Sequence, residues 1–289
     1  MTYKISVIIA VLLIMTSCQN RLKEATQNQS LYTSSIGVQA YSFRNYFPKD
    51  AIGTLDKIQA MGITSIEGDG GKIPPEEYKK LCHARGINIP STSCTFDQLE
   101  KEPMAVVKKA KALGADYVMV AWIPHKESGS FSLEEAQYAI EVFNKSGKIL
   151  ADQGITFCYH FHGYEFQPHE DGTLLDYIVN QTDPRYVSFE MDIFWIHFGG
   201  GDPVKLLKKY PNRWKLIHLK DMKKGTTKDL TGQTDVENSV PLGTGEIDIK
   251  EILITGKEIG IAHYFIEDES SVVMNQVPES IRFLQSLKL

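Results

Sequence analysis

Two imidazoles and a carboxylate crowd into one short stretch, FCYHFHGYEF, at residues 157–166. His160 and His162 stand two apart, and Glu165 follows. The stretch opens as an apolar run and so reads as a buried strand, on which residues two apart share a face. Two imidazoles on one buried face are costly unless something binds them. Elsewhere Glu67, Asp192, His218 and Glu267 each stand where an apolar run gives way to polar residues. Imidazole and carboxylate converging on one point make a site for a divalent metal. An imidazole in such a place can also move a proton near neutral pH. On this reading His160 and His162 face a common site, one turned toward a metal and one toward a substrate.

The elements that would bring these residues together follow a strict alternation. Apolar runs at IGVQAYS, ITSIEG, INIPSTS, DYVMVAW, ITFCYHFH, VSFEMDIFW, KLIHLKD and HYFIEDE are separated by amphipathic stretches. Those stretches predict helices near 48–61, 75–85, 100–113, 132–153, 173–179, 202–210 and 247–259, with a closing helix in PESIRFLQSLK. Strand–helix pairs repeated eight times over about 250 residues predict a (β/α)8 TIM barrel, an α/β fold whose C-terminal strand ends share one mouth. Gly follows many of the helices, as in KIQAMGI and CHARGI, where it accepts the left-handed turn that ends a helix. A doubly wound open sheet would need a glycine-rich turn after the first strand, and AYSFRNYF is not one.

The chain has 289 residues, a net charge of −5, 42% hydrophobic and 23% charged residues. That is the profile of a globular enzyme, and no basic block is present to neutralise nucleic-acid phosphates. The first residues, MTYKISVIIAVLLIMTSC, place a Lys ahead of an apolar run too short to span a bilayer comfortably. MTSC resembles a bacterial lipobox. The resemblance implies a lipoprotein signal over 1–18, cleavage before Cys18 and acylation of its thiol, with an uncleaved anchor as the alternative. Residue 19 is Gln, not the Asp of inner-membrane retention. The expected location is therefore the cell envelope, on the outer membrane facing the periplasm, with a polar tether at 19–35 and the barrel at 36–289. Cys82, Cys94 and Cys158 form no paired spacing, so neither a disulfide framework nor a thiolate zinc site is indicated.

The motifs YHFHGYEF, FEMDIFW, DPVKLLKKY, LIHLKDM, PLGTGEID and FIEDE, in this order, resemble those of the xylose-isomerase-like TIM barrels, a family of sugar phosphate isomerases and epimerases. The likeness runs from about Gly37 to the C-terminus. In that family a Glu, an Asp, a His and a Glu at four strand ends bind one divalent metal. Carried over by position, the last three fall on Asp192, His218 and Glu267. The first falls on His160, a His where much of the family has Glu, with Glu165 as the alternative first ligand. Manganese, cobalt, zinc and magnesium are all candidates, magnesium the least suited to mixed nitrogen and oxygen donors.

The resemblance implies proton abstraction beside a metal-polarised carbonyl. The main expectation is a sugar isomerase or epimerase. The envelope does not retain sugar phosphates, so the expected substrate is an unphosphorylated keto-sugar or glycoside. One ligand carboxylate, Glu267, remains as base, with His160 or His162 as acid or base. That asymmetry carries the alternative of an eliminating lyase or dehydratase on 3-keto-glycosides, whose YHxH motif this chain shares. Further alternatives are an endonuclease-IV-like phosphodiesterase, opposed by the acidic balance and the anchor, and a non-catalytic sugar-binding lipoprotein. Lys220 is expected to bond a substrate oxygen or else to pair with Asp221. Glu67 is a candidate partner for a sugar hydroxyl or else for a rim salt bridge, and Trp122 and Trp195 are candidates to stack on a sugar ring, with packing between strand and helix as the commoner alternative. The long polar segment at 222–245 is either a lid or simply mobile.

Overall fold

The computed structural model describes residues 31–32, 35–126 and 131–288. The expected signal with Cys18, and nearly all of the tether, lie outside the described residues. Eight strands close into a parallel barrel: β1 (Gly37–Gln39), β2 (Ser65–Glu67), β3 (Asn88–Ser93), β4 (Tyr117–Val120), β5 (Thr156–His160), β6 (Val187–Asp192), β7 (Trp214–Leu219) and β8 (His263–Ile266). Each pairs with its sequence neighbours, and β1 closes on β8.

Period-two alternation sorts the side chains. On β5 Phe157 and Tyr159 face the surrounding helices and pack in the main core, while Cys158 and His160 face the barrel axis. Cys158, Leu216 and Phe265, with Tyr117 against them, form a separate apolar cluster inside the barrel. It lies one inward step below His160, His218 and Glu267, so an apolar plug underlies the polar strand ends.

Between strands run α1 (Ala51–Ala60), α2 (Pro75–His83), α3 (Phe96–Lys101), α4 (Pro103–Leu113), α5 (Leu133–Ala151), α6 (Leu174–Gln181), α7 (Ile193–Phe198), α8 (Pro203–Lys209), α9 (Ile249–Ile259) and α10 (Val273–Ser286). Capping boxes start α3, α5 and α6: Thr95 with Gln98, Ser132 with Glu135, Thr173 with Asp176. Gly114 and Gly260 end α4 and α9 at φ 77° and 79°.

Three boundaries differ from the expectation. IGVQAYS is strand only through Gln39 and then turns into a short 3-10 helix, Ala40–Phe43. The helix expected over 100–113 is two helices, because Pro103 cannot donate a backbone hydrogen bond and starts a new one. VSFEMDIFW does not stay extended: Asp192 ends β6 and caps α7.

Candidate active site

The register of the barrel sets the site. Asp192 pairs with His218 across β6 and β7, and His160 pairs with Glu190 across β5 and β6. These side chains point inward and are buried. Asp192 divides its carboxylate. Oδ1 accepts the N–H groups of Phe194 and Trp195 at 2.8 and 3.0 Å, starting α7. Oδ2 is buried with no hydrogen-bond partner. His160 Nε2 lies 3.8 Å from Oδ2, and His218 Nδ1 lies 3.9 Å from it. Glu267 Oε2 is 3.0 Å from His218 Nδ1. Three of the residues expected as ligands, His160, Asp192 and His218, thus converge, with Glu267 against His218.

Beneath them sits a carboxylate pair that the sequence reading used only in part. His218 Nε2 bonds Glu67 and lies 3.2 Å from Glu190. Glu190 also faces His160 Nδ1 at 3.1 Å. Glu67 accepts from Gln39 Nε2 at 2.7 Å and from Ser91 Oγ. The expectation that Glu67 meets a sugar hydroxyl is corrected: its carboxylate is fully buried and committed to Gln39, Ser91 and His218. Glu190 was missed. Its signal was its place two residues before Asp192, hence on the same face of the strand.

Glu165, the alternative ligand, is held elsewhere. It takes the Tyr159 hydroxyl and the His162 backbone N–H at 3.2 Å, so it fixes the turn after β5. Burial pushes its carboxyl up to about 7.

A cation fits the donor set. His160, Asp192 and His218 offer ligand atoms within 4.8 Å of one another, and Glu67, Glu190 and His218 form a second such group. Asp192 Oδ2, buried and unpartnered, is what a metal site leaves for its ion. Imidazole nitrogens with carboxylate oxygens suit zinc, manganese or cobalt. The charges point the same way. Burial, then the neighbouring Glu67, pushes Glu190 up to about 8, and burial pushes Asp192 up to about 7. For His218 burial opposes protonation, but Glu190, Glu67 and Glu267 outweigh it and raise the imidazole well above its ordinary value. Burial likewise opposes ionisation of Glu267, yet Lys220 and His218 hold its carboxyl well below the usual range.

The cavity above has a volume of about 980 Å³ and reaches His160, His162, His218 and Glu267. Trp122 and Trp195 line it. His162 stacks on Trp195 at 4.8 Å and meets Trp122 edge-on at 5.4 Å. Its Nδ1 is buried without a partner. Burial, then the Lys220 charge, lowers its pKa to about 3. Lys220 pairs with Glu269 and lies 3.9 Å from Glu267, rather than pairing with Asp221, and its ammonium sits 4.9 Å from the Trp195 ring centre. Asp221 instead accepts the N–H groups of Gly243, Gly245 and Ile247 at 2.9, 2.9 and 3.2 Å, tying down PLGTGEID. From the segment 222–245, Gly232, Gln233 and Thr234 enter the cavity wall. His197 and Lys228 both grip Glu246, at 2.8 and 3.2 Å, beside its base.

Comparison with known proteins adds the following. The family described as xylose isomerase-like TIM barrel matches residues 55–287. An inosose dehydratase of Clostridium botulinum (strain Alaska E43 / Type E3) is 29% identical over 189 residues, which is 57% of this chain and 62% of that protein. The chain thus spans less than two thirds of that relative's length. A crystal structure of a sugar phosphate isomerase/epimerase from Parabacteroides distasonis is similar with a TM-score of 0.72 and 24% identity, over 88% of this chain and 97% of that one. The IOLI protein, solved with a bound zinc atom, gives a TM-score of 0.67 and 17% identity, over 87% and 95%. At these identities the two structures speak for the fold.

Proposed function

The chain belongs to the xylose isomerase-like TIM barrel family, and from that premise we propose a divalent-metal-assisted lyase. It would eliminate water or an alcohol β to the carbonyl of an unphosphorylated keto-polyol or keto-glycoside. The observation that carries this reading is the pairing, in one cavity, of an ionised carboxylate and an imidazole with one unpartnered nitrogen across a candidate metal centre. Glu267 is kept ionised by Lys220 and His218, and His162 has an unpartnered Nδ1. His160, Asp192 and His218 lie between them. The dehydratase name of the relative supports elimination over the isomerase or epimerase first expected.

His160, Asp192, His218 and Glu267 would hold the ion. When bound, it would polarise the substrate carbonyl and acidify the neighbouring C–H. The chain's own groups do the rest. Glu267 accepts the proton from the carbon beside the carbonyl. The C–H electron pair becomes a C=C bond, and the β C–O bond breaks. Glu267 hands the proton it has taken to the departing oxygen, which leaves as water or alcohol, while the unpartnered Nδ1 of neutral His162 is placed to accept a hydrogen bond from a substrate hydroxyl. His160 is less suited to this role, because its Nδ1 faces Glu190 and its Nε2 faces Asp192. Trp122 and Trp195 bracket the ring, and the folded 222–245 segment limits water. No oxidant is required. Acylation at Cys18 would place this chemistry at the envelope.

The test is incubation of the protein, loaded in turn with manganese, cobalt, zinc and magnesium, with an inosose and with 3-keto-glucosides in deuterated water. Formation of the unsaturated ketone or its tautomer, with deuterium at the abstracted carbon in recovered substrate, supports the lyase. Clean inversion or aldose–ketose exchange without elimination would return the reading to an epimerase or isomerase. No reaction with any metal would overturn both.

A further inference from the structure

The cavity over the metal centre does not end at the centre. A second cleft of about 600 Å³ opens beside it, and the two share Gln39, Tyr41, Asp69, Gly71 and Ser93. Its walls are the loops after β1 and β2. The first cavity alone, at about 980 Å³, stands at the upper end of sites that enclose drug-sized ligands, roughly 300–1,000 Å³. One six-membered ring against His160 and Glu267 fills a small part of this space.

The junction between the two spaces is built for a second ring. Tyr41 is 54% exposed, although it follows a buried strand. The Arg44 guanidinium lies 4.6 Å from its ring centre, and Arg44 is itself fixed by a 2.8 Å bond to the Glu269 carbonyl. The arginine backs one face of the ring and leaves the phenol as a fixed aromatic shelf. Gly71, which borders both spaces, sits at φ 67° with open space where a Cβ would stand, so it presents no side chain to the passage. Asp69 is neutralised by Lys109. Arg44, Lys49 and Lys72 border the outer cleft, so it accepts a neutral or anionic group and opposes a cationic one.

We propose that this outer cleft is the leaving-group subsite, and that the preferred substrate is a keto-glycoside whose second sugar or aglycone lies against Tyr41 while its keto ring sits at the metal centre. This rests on the proposed function for the inner cavity alone. Contact of the second ring with the Tyr41 face and burial of its apolar surface both add to affinity.

The experiment compares binding of 3-keto-glucose with a panel of α- and β-linked glucosyl disaccharides carrying the same C3 ketone. Calorimetry on the full metal-loaded chain, and turnover where it occurs, are the readouts. At least one disaccharide should bind about tenfold tighter than the free ring, and Tyr41→Ala should cut that ratio to below about threefold. An equal or weaker affinity for every disaccharide would overturn the subsite while leaving the lyase reading standing if the free ring is turned over. A ratio unaffected by Tyr41→Ala would overturn the role of the shelf. Failure of every sugar to bind would overturn subsite and lyase together.

Discussion

Asp192 illustrates how much one residue carries here. One oxygen holds the first turn of α7 and the other is free in the site. Asp192→Asn can keep the capping acceptor while losing the ligand charge. We expect it to stay folded and to lose metal, read by elemental analysis of the dialysed protein. Glu190→Gln should act more mildly, because Glu190 touches His160 and His218 from below and orients their rings. Loss of such a supporting contact typically costs about 10–100-fold in metal affinity, which calorimetric titration would measure. Glu165 gives a pH signature. Its folded carboxyl is raised by burial to about 7, above the unfolded value near 4.3. The folded state therefore binds the proton more tightly, and this group's contribution to stability falls as pH rises through that window. Glu165→Gln, which can still accept from Tyr159, should match the parent near pH 4 and exceed it at pH 8. The gain should be on the order of 1–3 kcal/mol, and thermal melts at the two pH values would check it. His160, Asp192, His218 and Glu267 were legible in the sequence because each marks a switch from apolar to polar at a strand end. Glu190 was not, since a lone carboxylate inside VSFEMD reads as part of a strand until its inward phase is counted.

At the scale of elements, the turn after β5 and the end of α7 are locked together. Gly163 has φ 88°, and a Cβ there would meet the Trp195 carbonyl oxygen at 2.6 Å. This contact holds His162 against Trp195. Gly163→Ala should destabilise the protein by about 2–3 kcal/mol, from left-handed strain and the backbone clash together. Chemical denaturation would measure that cost, and quenching of tryptophan fluorescence would report the displaced Trp195. A stability change below about 0.5 kcal/mol would mean that the two segments slide apart freely. Element order was readable from hydrophobic alternation, but α7 was not. IFWI is apolar throughout, and only the preceding Asp192 followed by a buried helix start distinguishes it from continuing strand. The first strand was overread for a related reason. AYSF keeps the alternation, while the Gln39 side chain accepts the Tyr41 N–H and turns the chain into a 3-10 helix.

At the scale of the molecule, attachment and catalysis are separable. No helix among the described residues is long and apolar enough to cross a membrane. We propose that membrane attachment comes from the N-terminal segment, with a lipid on Cys18 as the expected anchor. Cys18→Ser should move the protein from the membrane to the soluble fraction. Equal retention would indicate an uncleaved apolar anchor. The barrel itself has one further consequence. Tyr117, Cys158, Leu216 and Phe265 stop its axis from below, so substrate and product both use the upper mouth of the barrel. Substrate and the keto product must share that doorway and take turns. The product should therefore inhibit competitively against substrate, and steady-state rates measured with added product would show lines meeting on the 1/rate axis. Traffic through one door also sets an order for a glycoside: the outer fragment has to clear the threshold before the ring behind it can leave.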